Sequence, residues 1–502
     1  MNLLNSDLLD RIRLNRKRIG DSIYRAPDVY LQSDDWPGDF VGRTILSLSS
    51  LYKSLIGYPE EQQDILNQLQ DIFQSIENYL NSDFYWGEPF NGKFVNEQQL
   101  SGNSWYLRGL VEYYSISKDA TVFEYIERIS EVLLSKLSLY YENYPVMIHG
   151  NGAVSGHLQN EPINGWRLST DNGCAFIMVD GFSAVYELLL NERLKNSLDL
   201  IIEKFMTIDY VSYKFQTHAT LSCARGILRM YKVTHDEKYL KYVEEIFANY
   251  TKFGMTIDYA NYNWFGREDS WTEPCAIVDS MILAKWLYLL TRNNSYLQLF
   301  NRIYINSLRT FQRDNGGAGC STCASSSHRE IKMHLYEAFF CCSMRLGEGL
   351  YEIASFYETK DSEINIYYPG SYHLKNKKYD LKIKYDPYGK HCLSIEGENL
   401  TNAEFEIKLY LPFDVVNNNY HLNYKEHFLI IYDDLNEALS FNFEIHPYEE
   451  NGLKFYGDLI LSTKLVGYNE QPVFNVDNEE YSPLSDSRYF SEDSLKTIIQ
   501  KL

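Results

Sequence analysis

The chain has 502 residues, more than one apolar core usually supports, so a large domain with a smaller companion is expected. Lys and Arg number 47 against 68 Asp and Glu, a formal charge of −21 that repels a phosphate backbone and leaves nucleic acid and anionic membranes as poor partners. The 43 Tyr and 7 Trp exceed what packing alone needs and suit a cleft that displays flat rings to a small carbohydrate or oligosaccharide.

The N-terminal MNLLNSDLLDRIRLNRKRIG sets Asp and Arg among its leucines and so lacks the apolar region of a secretory signal. Lys, Glu or Arg interrupts every later helical pattern, and no membrane span is expected. The expectation is a soluble, cytoplasmic protein. Its eight Cys then point to metal or nucleophile chemistry over a disulfide framework, with Cys174, Cys223 and Cys392 as plain buried thiols.

From about residue 40 to 360, apolar residues recur at helical spacing between short polar turns that look alike. Such breaks fall near Gly57, Lys118, Asn191, His235, Arg292 and Thr359. Six helix pairs with nothing else between them predict a closed (α/α)6 barrel over residues 1–361. After Asp361 the pattern turns to period two, in words such as YDLKIKYD, FEIKLYLPF and DLILSTKLV. Residues 362–502 are therefore expected to form an antiparallel β-sandwich of seven to nine strands, ended by a short helix with Ser491 as its cap.

In such a barrel, loops at one end build the cleft. Three long loops rich in Gly, Asn and Trp are the candidates: DFYWGEPFNGKFVNEQQLSGNSW, HGNGAVSGHLQNEPINGWRLSTDNG and KFGMTIDYANYNWFGREDSWTEPC. The last ends on Glu273 and Cys275, where a loop enters a helix, and Cys341 and Cys342 open a later helix. One carboxylate and three thiolates suit tetrahedral Zn²⁺, and helix starts favour the thiolate form.

These residues also carry a family resemblance. TEPCAIVDSMILAKWLYLL, followed by FFCCSMRLGEGLYEIASF, resembles the catalytic region of glycoside hydrolase family 127 and the related family 146, whose members have a Glu-x-Cys motif and then a Cys-Cys motif. KFQTHATLSCARGILRMYKVTHDEKYL is similar to the family's His-Ala segment and sets His218 at the cleft. The resemblance implies a zinc-dependent β-L-arabinofuranosidase that retains configuration. Cys341 would be the nucleophile, and Glu273, Cys275 and Cys342 would complete the shell around the zinc. A thiolate is a good nucleophile and a tolerable leaving group.

The sequence departs from that family in two places. The family's acid is a Gly-Glu carboxylate about sixteen positions before the metal-binding Glu, and no Gly-Glu occurs in this interval, which begins at Ile257. Glu268, in GREDSWTEP, is the first candidate for the acid and Asp258 the second. Cys320 and Cys323 form a C-x-x-C in a glycine-rich stretch, read as a further metal site, a redox pair, a substitute ligand or incidental thiols on a flexible loop.

His157 and His149 flank a Gly-rich turn where imidazole can meet sugar hydroxyls, while His328 and His334 read as parts of a solvated helix face. Trp105, Trp166, Trp264 and Trp271 are weighed as stacking platforms against ordinary core packing, with Trp105 and Trp271 preferred. Two other classes compete with the hydrolase. One is an (α/α)6 polysaccharide lyase or sugar epimerase without catalytic zinc; the other is a sugar-binding protein with a structural zinc site. A homodimer is compatible with all three.

Overall fold

A computed structural model describes residues 2–3, 6–32, 35–148, 154–333, 335–360, 363–375, 380–386, 392–398, 405–411, 422–425, 427–433, 439–442, 445–465 and 473–502. Its helices are α1 (Asp7–Ile19), α2 (Asp39–Ser54), α3 (Pro59–Ser75), α4 (Glu97–Ser117), α5 (Ala120–Leu137), α6 (Met178–Leu189), α7 (Glu192–Met206), α8 (Thr217–Thr234), α9 (Glu237–Phe253), α10 (Pro274–Thr291), α11 (Asn294–Ile303), α12 (Arg309–Phe311), α13 (Cys342–Ala354) and α14 (Glu492–Leu495).

Packing turns this list into a ring. α2 lies against α4, α4 against α6, α6 against α8, α8 against α10, α10 against α13, and α13 closes back on α2. The outer layer is α3, α5, α7, α9 and α11, each following its inner partner. The expected sixth hairpin is corrected here. Thr359 lies in a strand, Tyr357–Lys360, and the outer partner of α13 is α1, from the other end of the chain. Periodicity reads neighbours in sequence only, so a ring closed by its own N-terminus shows one pair too few.

The turns look alike because they are one device. Lys118, Leu190, His235 and Arg292 each end an inner helix in the left-handed region, at φ of 55°, 50°, 56° and 58°. The next residue is Asp119, Asn191, Asp236 or Asn293, whose side-chain oxygen accepts backbone N–H groups of the outer helix. The chain thus reverses with no wasted residue.

Inner helices approach closely at small residues. A Cβ on Gly42 of α2 would stand 2.4 Å from the Tyr106 nitrogen of α4, and one on Gly109 of α4 would stand 2.5 Å from the Gly42 oxygen. Gly181 against Ser104 and Gly226 against Val179 repeat this at the next two crossings. α10, by contrast, is apolar nearly all round. It is the one described helix long and apolar enough to cross a membrane by length and composition, with a mean hydropathy of 1.3, although no such stretch was expected. Its burial between α8 and α13 explains this, because an inner helix has neighbours on every side.

The strand-rich part holds fourteen described strands between Tyr357 and Pro483, more than the seven to nine expected, because short strands such as Tyr357–Lys360, Leu422–Lys425, Leu453–Tyr456 and Phe474–Val476 are too brief to show a period of two. One five-stranded sheet runs in the order Asn2–Leu3, Gly370–Lys375, Asp380–Asp386, Cys392–Glu398, Leu439–Asn442, with the N-terminus as its edge. A second is ordered Leu422–Lys425, Phe428–Asp433, Phe405–Tyr410, Glu363–Ile366, Tyr357–Lys360, and its Phe405–Tyr410 and Glu363–Ile366 strands are parallel. Ile383, Leu393 and Ile395 of the first sheet and Ile364, Ile407 and Ile431 of the second are buried in one shared core. The third sheet spans Pro447–Thr463 and Phe474–Pro483. It docks on the barrel where Arg302 of α11 meets Asp458 at 3.1 Å and Glu450 at 2.7 Å.

The closing helix is also corrected. α14 is a single turn, Ser491 gives it no side-chain cap bond, and the chain continues as a strand, Ile499–Lys501, paired with Glu330–Lys332. The unpaired edge of Glu330–Lys332 and the β-branched Thr497, Ile498 and Ile499 favour extension over a second turn. Gly42→Ala is expected to lower unfolding stability by about 1–3 kcal/mol, because backbone faces the new methyl and cannot swing away; the chemical-denaturation midpoint reads it.

Candidate active site

The two donor motifs meet. Glu273 is the N-cap residue of α10, with Pro274 at the first helical position, where the missing N–H costs nothing, and Cys275 follows. Cys341 is the N-cap residue of the neighbouring α13, and Cys342 is its first residue. Ring order places the two helix starts side by side, and the four donor atoms lie within 4.8 Å of one another. Cys275 Sγ is 3.3 Å and Cys341 Sγ 3.4 Å from Cys342 Sγ.

The donor set fits a soft cation. Glu273 Oε2 is buried with no hydrogen-bond partner, a costly state that a metal ion relieves. Burial, with the charge of Asp171 added, pushes the Glu273 carboxyl up to about 8, against the pull of Arg43. Burial likewise holds the Cys275 and Cys342 thiols well above their usual range. At Cys341 the hydrogen bond to Cys275 works downward, but the Cys342 contact and burial outweigh it. Without a cation, then, all four donors keep their protons at neutral pH.

The cluster opens on a cavity of about 890 Å³, whose walls include Trp36, Asp39, Arg43, His157, Asp171, His218, Trp271, Glu273 and Cys341. Cys341 is partly accessible, whereas Cys275 and Cys342 are buried. Arg43 donates to Cys275 Sγ at 3.5 Å and is itself held by Asp39 at 2.6 Å. His218 lies between Arg43, 3.4 Å from its Nε2, and Asp279, 2.8 Å from its Nδ1. Burial lowers its pKa, so the ring is neutral, and the Asp279 contact assigns the proton to Nδ1.

Of the residues proposed for sugar contact, His157, His218 and Trp271 line the cavity. Trp105 does not. It is fully buried behind His218, stacked at 5.6 Å with Arg43 on its ring at 4.1 Å, and so orients the imidazole from below. Trp166 and Trp264 are core residues. His149 and His334 lie outside the described residues, and His328 is exposed in a turn before the strand Glu330–Lys332 instead of on a helix.

Neither acid candidate lines the cavity. Glu268 is exposed, accepting a hydrogen bond from Ser327 at 3.1 Å, because Arg267 and Asp269 pair and turn that loop tip to solvent. Asp258 is buried outside the cavity wall, with burial raising its carboxyl to about 6. The glycine-rich stretch is no flexible loop. Cys320 is buried in a hairpin-like pairing with Leu335 and Tyr336 and reaches the cavity, while Cys323 rests 3.5 Å from the Asn261 carbonyl. Neither joins the four-donor group found among the described residues.

Sequence reading missed Arg43, Asp39 and Asp171. Asp171 stands in the quoted loop LSTDNG, and its acidity in a Gly-flanked turn was the available signal; Arg43 and Asp39, in an unremarked helix, gave none.

The family model described as the catalytic domain of β-L-arabinofuranosidase, GH127, matches residues 169–355, which include both donor motifs. No curated protein matches the sequence. Among solved structures, one titled only as a glycoside hydrolase is similar at TM-score 0.63 and 12% identity, over 92% of this chain and 81% of the other. A GH127 β-arabinofuranosidase is similar at TM-score 0.58 and 13% identity, over 90% and 79%. A GH127 β-L-arabinofuranosidase from Geobacillus stearothermophilus T6 is similar at 0.57 and 12%, over 90% and 80%. At such identities the structures speak for the fold, and the family model speaks for the catalytic region. The chain is a glycoside hydrolase similar to the β-L-arabinofuranosidases.

A divalent soft cation added to metal-free protein should release protons, because it binds only the deprotonated donors. Its affinity is therefore expected to rise as pH climbs toward the Glu273 value near 8, and to fall by about tenfold or more in Glu273→Ala. Calorimetry in buffers of different ionisation enthalpy measures both.

Proposed function

We propose that this chain releases a terminal furanose, with β-L-arabinofuranose the leading sugar, with retention of configuration and with Cys341 as nucleophile. The observation that carries the reading is that the cluster's one accessible sulfur faces a sugar-sized cavity, whereas its other thiols are buried. Glu273, Cys275, Cys341 and Cys342 would hold Zn²⁺, which when bound supplies the positive charge that keeps the thiols ionised at neutral pH.

Around that centre the protein's own groups divide the work. Arg43, hydrogen-bonded to Cys275, spreads further positive charge over the sulfurs. Neutral His218 lines the cavity, where its ring serves sugar hydroxyls, with Nε2 beside Arg43 and the ring fixed by Asp279 and Trp105. Trp271 and His157 supply apolar and polar wall for the ring. The two sheets with one shared core read as a sandwich beside the barrel. The described free thiols suit a reducing cytoplasm, and a soluble oligosaccharide is the substrate class.

A lyase or epimerase would work through an exposed His or Tyr base and survive loss of the thiol. Cys341→Ser is expected to abolish turnover of 4-nitrophenyl furanosides, by at least about 10³-fold in kcat, with an unchanged unfolding midpoint. Full activity in that variant would reject the nucleophile.

A further inference from the structure

The cavity lacks an acid from either position the sequence offered, yet its wall contains carboxylates. Among the described residues these are Asp35, Asp39, Asp171 and Glu273. Asp35 sits on the exposed rim. Both oxygens of Asp39 are taken by the Arg43 guanidinium, at 2.6 and 3.0 Å. Glu273 belongs to the donor cluster. Asp171 remains.

Its setting suits a carboxyl that must change protonation. Asp171 is 2% exposed, and among the described residues no Arg or Lys forms an ion pair with it. Ser155 Oγ lies 2.8 Å from each of its oxygens, and the Gly156 N–H donates to Oδ2 at 2.9 Å, so the side chain is fixed while Oδ1 has no backbone donor. The turn Asp171–Gly173 is itself pinned, since Cys174 N–H donates to the Asp171 carbonyl at 3.1 Å and the Asp171 N–H bonds Ser169 Oγ at 3.2 Å.

We propose that Asp171 is the general acid and base of the hydrolysis, filling the role of the absent Gly-Glu carboxylate. The assignment rests on the glycosidase reading above. In the first half-reaction the Asp171 proton passes to the glycosidic oxygen as the C1–O bond breaks onto that oxygen and the Cys341 sulfur bonds C1. In the second, water attacks C1, its proton goes to the Asp171 carboxylate, and the C–S electron pair returns to sulfur. One water is consumed, and one sugar and one alcohol leave.

Burial raises the Asp171 carboxyl to about 6, against the downward pull of Ser155, Gly156 and the facing His157. The other titratable groups facing it are Glu97, raised by burial to about 7, Glu273, and the Cys174 thiol. A buried carboxyl raised toward the neutral range can give a proton in the first step and take one back in the second.

The test compares phenyl and 4-nitrophenyl furanosides on wild type, Asp171→Asn and Asp171→Gly, with zinc content measured on each. Asp171→Asn should lose about 10²–10⁴-fold in kcat/KM on the phenyl glycoside and little on the nitrophenyl glycoside, whose leaving group needs no proton. Azide should restore kcat in Asp171→Gly on the nitrophenyl substrate, forming the glycosyl azide. Equal losses on both substrates without azide rescue, or an unchanged phenyl rate, would overturn the assignment while leaving Cys341 in place. A wild type that cleaves neither furanoside overturns the hydrolase reading and this role together.

Discussion

An ion-pair lattice between the inner helices fixes how they sit against one another. All six inner helices feed it: Arg43 from α2, Arg108 from α4, Asp180 from α6, Arg225 and Arg229 from α8, Asp279 from α10, Arg345 and Glu348 from α13. Asp279 is its node, accepting from Arg225 at 2.6 Å, from Ser222 at 2.9 Å, from His218 at 2.8 Å and from Arg345. Asp180 takes Arg229 at 2.8 Å and Arg108 at 3.3 Å, and Arg225 bridges on to Glu348 at 2.8 Å. Buried pairs like these cost desolvation that apolar packing would not, so they are better understood as fixing register and orientation than as adding stability.

Orientation is what the site needs. The node that locks α8, α10 and α13 together also sets the His218 ring, and α10 and α13 start with the four donors. A small slip of α13 along α10 would part Cys275 from Cys342, now 3.3 Å away. The lattice and the close helix crossings at Gly42, Gly109, Gly181 and Gly226 therefore serve one end. They build a floor stiff enough to keep protonated thiols and an unpartnered carboxyl crowded together in the absence of a compensating cation.

Charge is distributed unevenly to match. The chain as a whole carries −21, yet the floor beneath the cavity is rich in Arg, which favours anionic sulfur over thiol once the donors are deprotonated. Asp171, by contrast, sits in the wall with no ion pair to an Arg or Lys among the described residues. The same fold thus sets Arg43 beside the sulfurs and leaves Asp171 without a cation by where each helix or loop ends.

Much was legible in the residues. Helical spacing and recurring turns gave the barrel because a left-handed residue followed by Asp or Asn is a local device, readable wherever it occurs. Glu273, Cys275, Cys341 and Cys342 could be grouped because soft donors at two helix starts have few other uses. The sixth helix pair, the true strand count and the fate of Thr497–Lys501 were not legible, since each depends on a partner far away in sequence. Burial decided the rest: it sent Trp105 beneath the site, left Glu268 in solvent and brought Asp171 to the wall. The sequence by itself determined the repeat, the strand-rich second part and the Glu and Cys residues of the donor cluster, all carried by local pattern and residue chemistry. Only the tertiary structure decided which carboxylate faces the cavity and which chain end closes the ring, because those are properties of contacts between residues that the linear order keeps apart.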